Sequence, residues 1–228
     1  MRFRRTSLET CNTATGIVVV IDVLRAFSTA AYAFAKGAKD IRLVSTIEEA
    51  FSWKEKNPDA LLMGEVDGLP IPGFNFGNSP PQFDHINLDG KRLIQRTTSG
   101  TQGVVRSVNA EILLAVSFCN VGATAKHLEA LSPAEVTFVI TGLRPGGWGD
   151  EDAACADFME ELLLGRNPDP SGYLRRVSES LPGRLFEDPK IKDYPYQDLE
   201  YCLAINEFDF VMPIHKAHGH LLMIATDL

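Results

Sequence analysis

Closely spaced cysteines are missing from this sequence. Its four cysteines are widely scattered, and no CxxC pair is present. A disulfide framework and a redox or zinc motif both need such spacing, so neither is predicted. We expect reduced thiols that act as small core residues in a cytoplasmic protein.

Long apolar runs and an excess of positive charge are also missing. The apolar run 17–21 stops at Asp22, and the basic start 1–5 leads into polar residues, so we expect neither a signal peptide nor a membrane span. The formal net charge of −8 argues against broad binding to nucleic acid or to an anionic membrane. A local basic pocket can still hold an anion, so the expected partner is small.

Several familiar catalytic and binding motifs are absent as well. There is no GxSxG for a serine hydrolase, no GxGxxG after the first predicted strand, and no P-loop lysine. The histidines His215, His218 and His220 invite a zinc assignment, but a terminal hairpin explains their spacing and no nearby Cys or acid completes a ligand set.

What the sequence does contain is an alternation of β-branched apolar runs with helical stretches. Its 228 residues, 45% hydrophobic, can bury one core or two small lobes. The predicted strands are 17–23, 41–44, 60–63, 91–96, 110–116 and 135–141. The predicted helices are 25–36, one capped by Thr46, 101–108, 121–131 and 151–164. This order predicts an α/β fold with a largely parallel sheet, with two similar lobes as one form of it.

The alternation weakens in two places. Segment 64–81 is rich in glycine and proline and predicts a long surface loop. After residue 165 the sequence predicts short helices at 174–180 and 196–206, and then a hairpin of 208–215 with 220–225. We therefore expect an α/β core at 1–165 and a C-terminal segment at 166–228 that packs on it as one structural unit.

Acidic residues follow two of the predicted strands. Asp22 comes directly after the five apolar residues 17–21 of the first strand, and Glu65 opens the long loop. Ligands of open α/β sheets bind beyond the carboxyl ends of strands, where two carboxylates could hold a hard cation such as Mg²⁺. The plainer alternatives are a helix cap for Asp22 and a solvated loop acid for Glu65. Arg25 could clamp a phosphate or sulfonate, or form an ordinary surface ion pair.

Other turns offer uncharged hydrogen-bonding groups. The strand-to-helix turn 97–101 suits an anion cradle or simply a turn with a helix cap at Thr101. Glu151 and Asp152 are either ligands or acids favoured by a helix dipole. The candidate substrate- and phosphate-binding residues are Asn78, Ser79, Thr97, Thr98, Ser99, Gly100, Thr101 and Asn120, each of which could instead serve only turn chemistry.

Taken in order, these motifs resemble the 2-phosphosulfolactate phosphatase family. The resemblance covers about 17–164 and continues in shorter stretches at 198–203 and 208–210. The motifs that carry it are Ile21-Asp22-Val23-Leu24-Arg25-Ala26, Gly64-Glu65, Gly73-Phe74, Gly77-Asn78-Ser79-Pro80, Thr97-Thr98-Ser99-Gly100-Thr101, Asn120 and Glu151-Asp152.

The resemblance implies a Mg²⁺-dependent phosphatase that converts 2-phosphosulfolactate to sulfolactate, a step toward coenzyme M in methanogens. It also implies a fold peculiar to the family, since the stretch after Asp22 lacks the second aspartate of a haloacid-dehalogenase signature. On this basis we expect Asp22, Glu65 and Asp152 as metal ligands and Asp22, Arg25 and Glu65 as catalytic residues. Whether Asp22 attacks phosphorus or only holds the ion stays open.

Two positions depart from the family pattern and leave the substrate open. Val66 stands where many members carry Arg, and Ser99 where many carry Asn. Loss of that Arg weakens recognition of a sulfonate or carboxylate. The alternatives are a phosphatase or lyase acting on another small phosphorylated hydroxy acid, and a non-catalytic anion-binding protein. Homodimer formation is also left open.

Overall fold

The structure is a computed structural model that describes residues 1–217 and 219–228. His218 lies outside the described residues. The strands found in them are β1 (Arg2–Ser7), β2 (Gly16–Ile21), β3 (Asp40–Leu43), β4 (Leu61–Val66), β5 (Leu69–Pro70), β6 (Arg92–Arg96), β7 (Ala110–Val116), β8 (Glu135–Ile140), β9 (Phe210–Ala217), β10 (His220–Met223) and β11 (Thr226–Asp227). The α-helices are α1 (Ala26–Ala35), α2 (Ile47–Lys56), α3 (Gly100–Arg106), α4 (Val121–Leu131), α5 (Asp150–Leu163), α6 (Ser171–Glu179) and α7 (Tyr196–Cys202).

The strands form one sheet with two parallel groups. Strands β1, β8, β2 and β7 are parallel neighbours, and so are β3, β6 and β4. The antiparallel hairpin β9–β10 lies between β7 and β3 and joins the two groups. The predicted α/β class with a largely parallel sheet is therefore confirmed.

The two parallel groups approach each other at their carboxyl ends. Three successive antiparallel pairings separate β7 from β3, so the groups run in opposite senses along the ladder. Even so, Gly100 after β6 lies against Asp22 after β2, because a Cβ built on Gly100 would be 2.8 Å from Asp22 Oδ2. The carboxyl ends of the two groups therefore approach each other across the hairpin. They do not form one continuous edge of parallel strands.

Strand β2 shows why the sequence folds this way. Its residues Val18 and Val20 belong to one core cluster, and Val19 and Ile21 belong to another. Both faces of the strand are thus buried, as its continuous apolar run predicts. Each such side chain contributes about 1.5–3 kcal/mol when removed from water, so the strand places Asp22 on a firmly held support.

Some predictions for the chain ends were incomplete. Strand β1 was not predicted because its arginines dominate the sequence there. It pairs only with β8, so Arg2 and Arg4 remain exposed while Phe3 stacks on Phe138. Helix α7 ends at Cys202 and not at 206, since Asn206 takes a left-handed conformation with φ of 53°.

The C-terminal hairpin lies inside the sheet and not on its surface. It pairs with β7 on one side and with β3 on the other. The division of the chain at residue 165 stays a prediction.

All four cysteines are buried and unpaired, as their spacing predicted. Among the described helices, none has the length and hydropathy needed to cross a bilayer.

Candidate active site

A cavity of about 220 Å³ opens at the carboxyl ends of β2, β6 and β8, next to β4. Its walls come from both parallel groups of the sheet. The predicted site residues that line it are Asp22, Arg25, Glu65, Asn78, Thr98, Ser99 and Asp152. Glu151, Thr141 and Arg144 line it as well. The strand-end turns around this cavity therefore converge, whereas the turn that contains Asn120 does not reach it.

Three buried carboxyl groups form an acid cluster, which we define as Asp22, Glu151 and Asp152. Their exposed fractions are 5%, 5% and 2%. The hydroxyl of Thr141 lies 3.3 Å from Asp22 Oδ2 and 3.1 Å from Asp152 Oδ2, so one small group bridges two carboxyls. The cluster is assembled from the end of β2 and the first turn of α5, and Thr141 at the end of β8 bridges them.

The members of the acid cluster differ in how many donors they meet. Asp22 Oδ1 accepts from the Ala26 amide at 2.9 Å, so this residue supports the start of α1 and also lines the cavity. Asp152 accepts from the Val23 and Gly142 amides, both at 2.8 Å. Glu151 Oε2 is buried without a hydrogen-bond partner among the described residues.

The electrostatics of the acid cluster are unfavourable without a counter-charge. Burial and then the neighbouring carboxylate of Asp152 raise the pKa of Asp22 to about 8. Burial and then Glu151 raise the pKa of Asp152 to about 8. The pKa of Glu151 rises to about 7, mainly through burial. Three ionised carboxylates in this space require a cation beside them.

Glu65 is held in a different way. Its Oε1 accepts from the Thr98 amide at 2.6 Å, and its Oε2 accepts from the Gly68 amide at 2.6 Å and the Thr98 hydroxyl at 3.0 Å. Both oxygens are therefore engaged by the two loops that they tie together. The structure places Glu65 inside strand β4 and not in the loop after it.

Arg25 is buried and closely held, so it is not a surface ion pair. Its guanidinium forms an ion pair with Asp198 and donates to the Gly68 carbonyl at 3.2 Å. The rings of Phe186 and Tyr194 lie 5.3 and 4.9 Å from it, within cation–π range. Burial raises the pKa of Asp198, and the charge of Arg25 opposes that rise. Arg25 thus presents a fixed positive charge at the cavity wall.

The turn 97–101 offers fewer free groups than its sequence suggests. Thr97 and Thr101 bond to each other through amides and hydroxyls at 2.8 and 3.0 Å, and neither lines the cavity. Thr101 lies within α3, whose cap position is Ser99, so the predicted cap at Thr101 is wrong. Among the described residues, nothing accepts a hydrogen bond from the amides of Ser99 and Gly100.

Two other predicted contacts lie outside the main cavity. Asn120 is fully buried and accepts from the Ser117 amide at 3.1 Å, so its side chain is part of a turn. Ser79 donates to Asp198 at 2.7 Å and lines a neighbouring cavity instead. Val66, the first departure from the family pattern, lines neither cavity.

Sequence reasoning missed several lining residues. Thr141 directly follows β8, so the rule that found Asp22 could have found it. Arg144 and Trp148 lie in the exposed loop 142–149, where nothing but proximity in space marks them; Arg144 donates to Ser99 Oγ at 3.0 Å. Phe186 and Tyr194 come from the C-terminal segment, which the sequence pattern left without a role.

The described residues contain no ready-made set of three or more His, Cys, Asp or Glu ligands. This includes His215 and His220, which lie on the hairpin strands β9 and β10. Mg²⁺, however, is usually held by one or two carboxylates together with waters and phosphate oxygens. The hard oxygen donors of the acid cluster and the unpartnered oxygen of Glu151 fit that mode of binding.

The fold and the site define an open α/β protein with an acidic, arginine-lined cavity at the strand ends. The family model described as 2-phosphosulpholactate phosphatase matches residues 3–217. The chain belongs to this family.

Curated relatives of similar length carry the name "Probable 2-phosphosulfolactate phosphatase". One from Bacillus subtilis is 37% identical over 88% of this chain and 87% of its own length. Another, from Carboxydothermus hydrogenoformans, is 36% identical over 92% and 91%. A third, from Clostridium perfringens, is 33% identical over 86% and 84%.

Proposed function

We propose that this protein is a Mg²⁺-dependent phosphatase that hydrolyses 2-phosphosulfolactate to sulfolactate and phosphate. The observation that carries the proposal is the acid cluster, which faces the same cavity as Arg25 and the turn at Ser99 and Gly100, whose amides have no acceptor in the described part of the chain. Carboxylates alone would repel a phosphate ester. Carboxylates with a divalent cation beside amide donors suit it.

Asp22 and Asp152 are the residues that would hold the cation. Their Oδ2 atoms share the Thr141 hydroxyl, and both carboxyls are almost fully buried. When bound, Mg²⁺ neutralises negative charge on the phosphoryl oxygens as the ester bond breaks. We assign Glu65 a different task from the ligand role that the sequence suggested. It ties the turn at Thr98 to the turn at Gly68.

The phosphoryl group would lie in the cavity, beside the acid cluster and the turn that precedes α3. Gly100 lets the start of α3 pack directly against Asp22, because any Cβ there would be 2.7 Å from the Cβ of Ala26 and 2.8 Å from Asp22 Oδ2. The Ser99 and Gly100 amides then point donors at the phosphate, as orphan N–H groups at a helix start do. Arg25 adds a fixed positive charge that needs no rearrangement during the reaction.

Glu151 is suited to receive the proton of the attacking water. Its Oε2 has no donor among the described residues, although it is buried in the wall of the cavity. A carboxylate oxygen without a donor can accept that proton without first losing another hydrogen bond, and the released alkoxide of sulfolactate takes a proton from water. In this proposal Asp22 holds the cation and does not attack phosphorus.

The test is a phosphate-release assay with purified protein. We expect 2-phosphosulfolactate to be hydrolysed with Mg²⁺ and not with EDTA, and faster than phospholactate or phosphoglycerate. Release that is equally fast in EDTA would overturn the cation assignment. Faster turnover of another phosphorylated hydroxy acid would overturn the substrate. The supply of sulfolactate toward coenzyme M and the cytoplasmic location stay predictions.

A further inference from the structure

A second, smaller cavity adjoins the main one. It measures about 130 Å³, and we name it the side cavity. It shares Arg25, Gly68 and Asn78 with the main cavity, so these three residues form the boundary between the two spaces. At about 30 Å³ for each water molecule, the side cavity has room for an acid group of four or five heavy atoms.

The boundary residue Asn78 points to a ligand. Its side chain is 7% exposed, and its Oδ1 is buried with no hydrogen-bond partner among the described residues. An unpaired amide in such a position is costly, and native proteins rarely leave one without a partner. The NH₂ group of the same amide is not buried in this way and has no acceptor among the described residues, so Asn78 can donate to an acid oxygen.

The backbone around Asn78 is fixed by its neighbours. Ser79 donates to Asp198, and the amide of Gly77 donates to Gln82 Oε1 at 2.8 Å. The amide of Gln82 in turn donates to the carbonyl of Ser79 at 3.3 Å. The position of Asn78 is therefore set on both sides, while the described residues leave its Oδ1 without a donor.

The side cavity is lined by fewer acidic groups than the main cavity. Five acidic side chains and two arginines line the main cavity. The side cavity is lined by Arg25, Lys192 and Asp193, together with uncharged groups. Lys192 is exposed, and the carbonyl of Asp193 accepts from Arg25 at 3.1 Å. An acid group attached to the phosphate ester would therefore be drawn away from the acid cluster and toward Lys192.

We infer that the side cavity binds the acid end of the substrate and that Asn78 and Lys192 select phosphorylated hydroxy acids over phosphate esters with neutral ends. This inference rests on the proposed function, since it names the part of the substrate that lies beyond Arg25. Asn78 and Lys192 are specificity residues here. Neither takes part in the transfer of the phosphoryl group.

Steady-state kinetics with two substrates tests the inference. We compare 2-phosphosulfolactate with glycerol 2-phosphate, a branched ester whose ends are neutral. The variant Lys192→Gln is expected to raise KM for 2-phosphosulfolactate about tenfold with little change in kcat, and Asn78→Ala by a similar factor. For glycerol 2-phosphate, kcat/KM should stay within about twofold of the wild type. Lys190→Gln, an exposed lysine outside both cavities, is the matched control.

A structural role would give a different pattern. Because the described residues provide no partner for Asn78 Oδ1, Asn78→Ala should not lower the melting temperature. Equal losses on both substrates, or no change in KM for 2-phosphosulfolactate, would overturn the inference while the phosphatase activity stands.

A binding arm separates the inference from the proposed function. Calorimetry with sulfolactate, which has both acid groups and no phosphate, should show binding to the wild type that weakens about tenfold in Lys192→Gln. If no ester is hydrolysed and this difference is still found, the proposed function fails and the side cavity stands. If wild type and variant bind sulfolactate equally well, or neither binds it, the inference fails whatever the enzyme hydrolyses.

Discussion

The acid cluster and Glu65 are two acidic regions of one cavity, and they differ in how closely the carboxyl groups are crowded together. Glu65 is a single carboxylate that accepts hydrogen bonds from two backbone amides and one hydroxyl. Asp152 has the same number of donors, but it shares its hydroxyl with Asp22, and Glu151 Oε2 has no donor in the described chain. Three buried carboxyls in one space need the positive charge of a ligand, whereas one carboxylate with donors on both oxygens does not.

Sequence alone gives these two acids the same role. Asp22 and Glu65 occupy similar places after apolar strand residues, and both were expected to be metal ligands. The structure places Asp22 beside Asp152 and Glu65 between two turns, a difference that no sequence pattern displays. Substitutions at the two positions are therefore expected to have different effects.

The largest effect is expected from Asp22→Asn. The substitution removes one carboxylate from the proposed cation site, so phosphatase turnover should fall at least about a thousandfold. Asparagine can still accept from the Ala26 amide and pair with the Thr141 hydroxyl, so the fold should persist. Stability without metal should even rise at pH 8, because a buried charge is lost.

Phosphate release and urea unfolding, measured on the same preparation, check both halves of this prediction. Asp59→Asn, at an exposed turn, is the matched control and should change neither quantity. Turnover within tenfold of the wild type would remove Asp22 from the proposed site.

A smaller effect of another kind is expected from Glu65→Gln. The amide NH₂ of glutamine would face a backbone donor, so the free energy of unfolding should fall by about 1–3 kcal/mol. Turnover at saturating substrate should drop only about tenfold, because the turns at Gly68 and Thr98 loosen while the cation site remains.

The Mg²⁺ concentration that gives half-maximal rate decides the role of Glu65. It should be nearly unchanged in Glu65→Gln, and the exposed Glu55→Gln should match the wild type in every measurement. A large rise in the Mg²⁺ requirement would make Glu65 a ligand after all.

The acid cluster should also give stability a characteristic pH dependence. Folding raises the pKa of Asp22 and Asp152 to about 8, so between about pH 4 and 8 the folded state binds more protons than the unfolded state. In EDTA the free energy of unfolding should therefore fall as the pH rises from 5 to 8.

Urea unfolding at several pH values tests this dependence. Added Mg²⁺ should remove most of the decrease, since it binds the ionised cluster of the folded state. Asp22→Asn should flatten the EDTA curve. A curve in EDTA that rises from pH 5 to pH 8 would show that these carboxyls ionise readily without a cation.

Much of the fold could be predicted because its signals are local. The continuous apolar run of β2 and the capping of α2 by Thr46 are both readable from short stretches, and the Thr46 side chain does accept from the Glu49 amide. Strand β1 escaped prediction because an edge strand buries little. The insertion of the β9–β10 hairpin between two parallel groups depends on pairings between distant segments, which no local pattern encodes.

For the site, the sequence predicted which turns meet but not what each side chain does there. Asp22 and Asp152 follow from the rule of strand ends and helix starts. Asn120 obeys the same rule, yet its oxygen is used by the Ser117 amide. No sequence rule points to Arg144. It lines the cavity because tertiary packing alone places its loop there.

The smallest effect is expected from Arg144→Ala, which extends the comparison from the acids to the cations of the cavity. Arg25 is buried and held by an ion pair, whereas Arg144 is exposed and, among the described residues, its side chain makes one hydrogen bond, to Ser99. An exposed charge contributes about 0.2–1 kcal/mol, so kcat/KM should fall about threefold, and less in high salt. Arg175→Ala, another exposed arginine, is the control. A hundredfold loss that persists in salt would place Arg144 against the reacting phosphate, and burial would no longer distinguish the catalytic cation from the one at the rim.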